Sequence, residues 1–313
     1  MLSTKSGSLY RCFSSTTTQL SKVNNVAIVG AGLMGSGIAQ VTASAKLNVV
    51  LVDKSDEILD NAKKSIDTNL RRVAKKKHVD DKSAQEALVA GTLSRLHITT
   101  SFESAVKDAD LIIEAIVEDI DVKRKLFSEI EKLAKPSAIL TTNTSSLRLE
   151  DIAVNLKAKD RFGGLHFFNP VPVMKLLEVV RHKETSDETF ESLLEYGRNI
   201  GKKTVACKDT PGFIVNRLLV PYMFEALRMA DRGDASMEDI DVAMKLGAGY
   251  PMGPFELCDY VGLDTTKFIM DGWHKQFPTE PLFQPNKTLD ELVKNKKFGR
   301  KSGEGFYKYK KLE

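Results

Sequence analysis

Val26-Ala27-Ile28-Val29-Gly30-Ala31-Gly32-Leu33-Met34-Gly35 is the stretch that decides the fold. A short apolar run enters a G-x-G-x-x-G turn, and the residues beyond it suit a helix. This strand–turn–helix context is what a dinucleotide-binding fingerprint requires. Gly30 permits the tight turn, Gly32 lets a pyrophosphate approach the backbone, and Gly35 lets the helix close on the strand. The helix N-terminus then faces the phosphates. Asp53 closes the next apolar run eighteen residues after Gly35, where a carboxylate binds a ribose 2′-hydroxyl. Its charge repels a 2′-phosphate, so NAD is the expected cofactor over NADP; Lys54 beside it tempers that preference. Taken without Asp53, the glycine motif also reads as a plain structural turn.

Working outward, short β-branched runs alternate with helical stretches from Val23 to about Cys207. Val26–Val29, Val49–Asp53, Leu111–Ala115, Ile139–Thr142 and Gly164–Phe168 read as buried strands, and Glu57–Lys77 and Val122–Leu133 as helices between them. That alternation predicts an α/β fold, a Rossmann-type doubly wound parallel sheet. The charge-rich Arg71–Gln85 carries no strand pattern and is expected in a helical hairpin. After Asp209-Thr210-Pro211-Gly212 strand runs vanish. Ile214–Asp231 is apolar and helix-length with Pro221 inside it, Ser236 and Asp239 form a capping box before Ile240–Leu246, and Pro254 suits a helix first turn. Leu289–Lys294 is a later helix. The expected domains are 23–208, binding NAD, and a smaller all-helical unit, 209–313.

Residues 1–22 hold Lys5, Arg11 and Lys22 and no acid; the first carboxylate of the chain is Asp53. Basic, rich in Ser and Thr and without an apolar core, this segment reads as a mitochondrial transit peptide, with a plain polar tail as the alternative. Removing its three cations from 46 leaves 43 basic against 42 acidic residues, so the body is nearly neutral and nucleic acid is not an expected partner. The uncharged stretch 23–45 contains four glycines and several amides and hydroxyls, which argues against a membrane span. Cys12, Cys207 and Cys258 show no metal-ligand or redox spacing, and no metal is expected.

A second informative stretch is Gly163–Val180, GGLHFFNPVPVMKLLEVV. It is apolar and strand-like yet carries His166 and Glu178, each among residues that read as buried. A carboxylate there is costly unless paired. Asn169-Pro170 and Pro172 break the run, so two strands can fold back and join the two side chains. Such a pair is either a general base whose tautomer the carboxylate fixes or a core histidine capping a buried acid.

The glycine motif, Asn143-Thr144-Ser145-Ser146, His166-Phe167-Phe168-Asn169-Pro170 and Asp209-Thr210-Pro211-Gly212-Phe213-Ile214-Val215-Asn216-Arg217 together resemble the L-3-hydroxyacyl-CoA dehydrogenase family, in particular its short-chain mitochondrial branch of fatty-acid β-oxidation. The likeness runs from about Val23 to Lys310. It implies NAD-dependent oxidation of L-3-hydroxyacyl-CoA to 3-ketoacyl-CoA in the mitochondrial matrix, by a homodimer joined mainly through the helical domain. It implies His166 as catalytic base, Glu178 as its partner, and Ser145 and Asn216 as polar substrate contacts in a cleft between domains. Further NAD contacts implied are Glu118, Lys123, Ser145, Asn169 and Lys301; read without the resemblance, Glu118 and Lys123 are ordinary surface charges. The basic face Arg71, Arg72, Lys75–Lys77 is by itself a solvated helix face. The resemblance brings Lys76 to coenzyme A, with Ser145 and Asn69, the last standing where relatives often have serine. His78, His97, His182 and His274 receive no role. Two other readings stay open: a relative acting on 3-hydroxybutyryl-CoA or a free hydroxy or sugar acid, and a non-catalytic dinucleotide-binding protein.

Overall fold

A computed structural model describes residues 23–309. The transit-peptide reading of residues 1–22 lies outside the described residues. Eight strands form one sheet: β1 (Asn25–Val29), β2 (Asn48–Val52), β3 (Leu96–Thr99), β4 (Leu111–Glu114), β5 (Ile139–Thr142), β6 (Phe162–Phe167), β7 (Leu176–Arg181) and β8 (Lys203–Lys208). Their order is β3-β2-β1-β4-β5-β6-β7-β8. From β3 to β6 every pairing is parallel; β6 and β7 run antiparallel, and β7 and β8 parallel.

The helices of this unit are α1 (Leu33–Ser44), α2 (Asp56–Lys77), α3 (Lys82–Leu93), α4 (Phe102–Val106), α5 (Ile120–Leu133), α6 (Leu149–Ile152) and α7 (Asp187–Asn199). Along β1 the side chains alternate between two cores. Val26 and Ile28 join Ile38, Leu51 and Leu165 on one face, and Ala27 and Val29 join Ile112, Phe127 and Leu140 on the other. Burial on both faces explains why the central strands are continuously apolar. The charge-rich stretch is indeed a helical hairpin, α2 against α3.

Beyond Lys208 follow only helices and isolated bridges among the described residues: α8 (Val215–Asp231), α9 (Met237–Gly247), α10 (Pro254–Val261), α11 (Leu263–Gln276) and α12 (Lys287–Lys294). They enclose their own core around Met223, Phe224, Phe255, Met270 and Trp273. Helix α8 continues through Pro221. The expected capping box is half formed. Ser236 accepts the Asp239 amide at 3.1 Å, but the Asp239 carboxylate accepts the Ser236 hydroxyl at 2.7 Å instead of its backbone amide. Aspartate is one methylene shorter than the glutamate the motif prefers. No helix among the described residues is long and apolar enough to cross a membrane.

Candidate active site

The Gly30–Gly35 turn is as tight as its sequence demands. Gly30 sits at φ +105°, where a side chain is strained, and a Cβ there would approach the Ala115 carbonyl oxygen at 2.6 Å. A Cβ on Gly35 would collide with the Gly30 carbonyl, whereas the space over Gly32 is open. No side chain caps the N-terminus of α1. An anion can therefore lie over Gly32 against the backbone and the positive end of the helix. Asp53 follows the last residue of β2. Its carboxylate accepts the Ala31 amide at 2.7 Å and the Lys54 amide at 2.7 Å, so it is held at the lip of the turn. The cradle fits a dinucleotide.

Beside it, at the carboxyl ends of β4, β5 and β6, lies a cleft lined by Met34, Glu118, Ser145, His166, Asn169 and Asn216. The β6–β7 hairpin sets His166 opposite Glu178 in the antiparallel register. Direct opposition brings the two side chains together: His166 Nδ1 and Glu178 Oε2 are 2.6 Å apart, and both residues are buried. With Nδ1 engaged, Nε2 is the ring nitrogen left for the cleft. The rings of Phe168 and Phe213 lie 4.4 and 5.5 Å from the imidazole. Phe213 holds φ +53°, an uncommon conformation for an aromatic residue, in the turn that leads into α8.

The second Glu178 oxygen accepts the backbone amides of Ile214 and Val215, at 3.2 and 2.9 Å. One buried carboxylate thus holds the imidazole and also caps α8. Nearby, the Asp209 carboxylate accepts the Leu149 and Glu150 amides, both at 2.8 Å, at the start of α6. Asn216 enters the cleft one residue past the Glu178 contact, and its amide nitrogen donates to the Ser145 carbonyl at 3.3 Å. The Ser145 hydroxyl makes no hydrogen bond among the described residues, while the Ser145 amide donates to Glu118 at 3.1 Å.

Glu118 and Lys123 are not the surface charges that the helical pattern suggests. Lys123 is 1% exposed; its ammonium lies 2.5 Å from Glu114 and 3.2 Å from Glu118. The pattern misleads because the first turn of α5 packs over the end of β4, where Glu114 is wholly buried. Glu114 also accepts the Ile116 amide at 2.8 Å and the Thr142 hydroxyl at 2.6 Å. Burial opposes ionisation of Glu118, yet the Lys123 ammonium, the Thr144 and Ser146 hydroxyls and the Ser145 amide together bring its carboxyl below the usual range. Glu114 was absent from the sequence-level site. Its signal was there to read: an acid closing the apolar strand Leu111-Ile112-Ile113.

Asn69 and Asn169 line a second groove between α1 and α2, joined to the first through Asn169. Lys76 is exposed on α2 and lines neither. Nor is Lys301 brought to the cleft. It lies in the C-terminal segment with its ammonium 2.6 Å from Asp264 and 5.8 Å from the Phe298 ring centroid. The loop after β6 that carries Asn169 is fastened by Lys202, whose buried ammonium donates to the Val171 and Met174 carbonyls at 2.5 and 2.7 Å. Desolvation lowers the pKa of Lys202.

A phosphate cradle that opens onto a carboxylate-held imidazole defines a class, the dinucleotide-dependent oxidoreductases. Residues 25–210 match the family model for the NAD-binding domain of 3-hydroxyacyl-CoA dehydrogenase, and residues 212–309 match that for its C-terminal domain. The chain belongs to the 3-hydroxyacyl-CoA dehydrogenase family, and its cofactor is NAD. A Caenorhabditis elegans protein described as "probable 3-hydroxyacyl-CoA dehydrogenase" is 71% identical over 296 residues, 95% of this chain and 96% of that one. The mitochondrial hydroxyacyl-coenzyme A dehydrogenase of Rattus norvegicus is 56% identical, covering 92% of each. Among solved structures, the (S)-3-hydroxybutyryl-CoA dehydrogenase of Ralstonia eutropha superposes with a TM-score of 0.87 at 39% identity, covering 93% of this chain and all of that one.

Proposed function

We propose that this enzyme oxidises L-3-hydroxyacyl-CoA to 3-ketoacyl-CoA in fatty-acid β-oxidation, in the mitochondrial matrix, with His166 as general base. The observation that carries the reading is the 2.6 Å contact of His166 Nδ1 with Glu178. That contact orients Nε2 toward the cleft and leaves it free to take the proton of the substrate 3-hydroxyl. NAD, when bound, would supply the acceptor for the hydride from C3. Glu178 stabilises the imidazolium that forms on His166, and the two α8 amides it accepts keep that carboxylate in place. Ser145 and Asn216 hydrogen-bond the reacting oxygen or the thioester and orient it. Phe168 and Phe213 exclude water from the imidazole.

For the cofactor, Gly30, Gly32 and Gly35 shape the phosphate cradle and Asp53 takes the ribose hydroxyls. Glu118, Lys123, Ser145 and Asn169, which line the cleft, would be further NAD contacts. Lys301 is a further contact only if the C-terminal segment or a partner subunit brings it there. Asn69, Lys76 and Ser145 are the coenzyme A contacts. Residues 23–208 form the NAD domain and 209–313 the substrate and dimerisation domain. Exposed Leu218, Val242 and Leu246 on α8 and α9 support a homodimer through the helical unit. The mitochondrial setting rests on residues 1–22 as transit peptide and on the mitochondrial naming of the rat relative.

The test is NADH oxidation by the purified protein with acetoacetyl-CoA and with free acetoacetate. Turnover on the thioester alone is the expected result. Equal rates on both would move the substrate to the free acid. NADH binding without turnover on any acyl-CoA would leave a non-catalytic dinucleotide protein.

A further inference from the structure

The groove between α1 and α2 has walls unlike those of the catalytic cleft. Its polar groups are Ser36 and Gln40 from α1, Asn61, Ser65 and Asn69 from α2, and Asn169 where it meets the His166 cleft. None is charged. Gln40 is the exception among the buried polar side chains of α1. Thr42 is satisfied by the Tyr196 hydroxyl at 2.8 Å, but Gln40, only 4% exposed, has no hydrogen-bond partner for its side-chain amide among the described residues. Neither amide atom is among the fully buried unpaired polar atoms, so what exposure Gln40 keeps lets its amide reach the groove that it lines.

The order of chemistry along the groove narrows what fills it. A phosphate beside Gln40 would find no counter-charge. Cations come later on the same face of α2: Arg72 and Lys76 follow Asn69 by three and seven residues, placing Lys76 about 10 Å further along the helix at about 1.5 Å per residue. A neutral hydrogen-bonding stretch next to the reaction centre, followed by a basic one, matches an acyl thioester whose amide-bearing pantetheine arm precedes its phosphates. We propose that Gln40 is a specificity residue whose side-chain amide exchanges a hydrogen bond with an amide of the pantetheine arm, selecting a thioester carrier over a free hydroxy acid. The inference rests on the acyl-CoA reading above.

Gln40→Met keeps length and burial while removing donor and acceptor. It is assayed in the full chain with acetoacetyl-CoA, acetoacetyl-pantetheine and the amide-free S-methyl thioester of acetoacetate. The expected result is a fall of about tenfold in kcat/KM on both pantetheine substrates, within the range of a single lost hydrogen bond. The amide-free thioester and the KM for NADH stay within about twofold. Equal loss on all three thioesters, no loss on any, or a rise confined to the NADH KM would each overturn the proposal. A second arm leaves the protein unaltered: a pantetheine thioester with each amide replaced by –CH2–CH2–, which removes both donor and acceptor, should lose about tenfold on the wild type, and parity would overturn the assignment even if Gln40→Met does not fold. Wild-type protein inert toward every CoA thioester would sink the acyl-CoA reading instead.

Discussion

Glu178 and Glu114 are two wholly buried carboxylates on strands of one sheet, and they do different things. Glu178 accepts two backbone amides and Glu114 one, and each has one basic partner. Glu178 faces an imidazole whose second ring nitrogen is left for the cleft; Glu114 faces a lysine that is already shared with Glu118. On the proposed mechanism the first pair takes part in proton transfer. The second, two glutamates on one lysine, is closed on itself and further tied to the Ile116 amide and the Thr142 hydroxyl. Burial of an acid therefore says only that it has a partner; whether that partner also reaches the cleft separates the two.

The sharpest way to break this contrast is to remove proton transfer without removing shape. His166→Gln should lower kcat about a thousandfold, and Glu178→Gln about a hundredfold, with the NADH KM within a few-fold in both. Steady-state kinetics would refute the assignment if either variant kept most of its turnover. On the other side, Lys123→Met should cost stability, because it strands Glu114 in the core: about 3–5 kcal/mol in urea unfolding, with the Glu114→Gln/Lys123→Met double variant recovering at least half. A double variant no more stable than the single one would show that the loss comes from packing and not from an unpaired charge.

The smallest effect is pH-dependent. The Glu118 carboxyl lies below its ordinary value of 4.5, so its contribution is present above that value and is lost as pH falls through the lower folded one. Wild type should exceed Glu118→Gln in stability at neutral pH, and the gap should close in acid. A gap unchanged between pH 7 and pH 3 would mean that Glu118 acts through shape alone.

The two carboxylates also differ in how legible they were. His166 and Glu178 stand out because each interrupts an apolar strand, and the prolines between them imply the fold-back that the β6–β7 register completes. Glu114 interrupts a strand too, but its partner sits in a helix whose neighbours Asp121 and Arg124 look like any solvated turn, so Lys123 reads as surface. The central strands were plain from their continuous apolar runs. The edge strands β3 and β8 were not, because β8 alternates exposed and half-buried residues and β3 buries only Leu96 of its four, whereas the equally short β4 and β5 are buried throughout. Lys301 illustrates the limit of motif transfer: its number in the chain carries no information about where the C-terminal segment lies, and here it lies against Asp264.

The double duty of Glu178 bears on how such an enzyme can change over generations. A recombinant joining this sheet to a foreign helical unit would leave the far oxygen of that buried carboxylate without its two amide donors unless the newcomer also presented them. The register of β6 and β7 brings His166 to Glu178 within the sheet, while the α8 amides occupy the carboxylate's far oxygen, so the surroundings of the proposed base are drawn from both units.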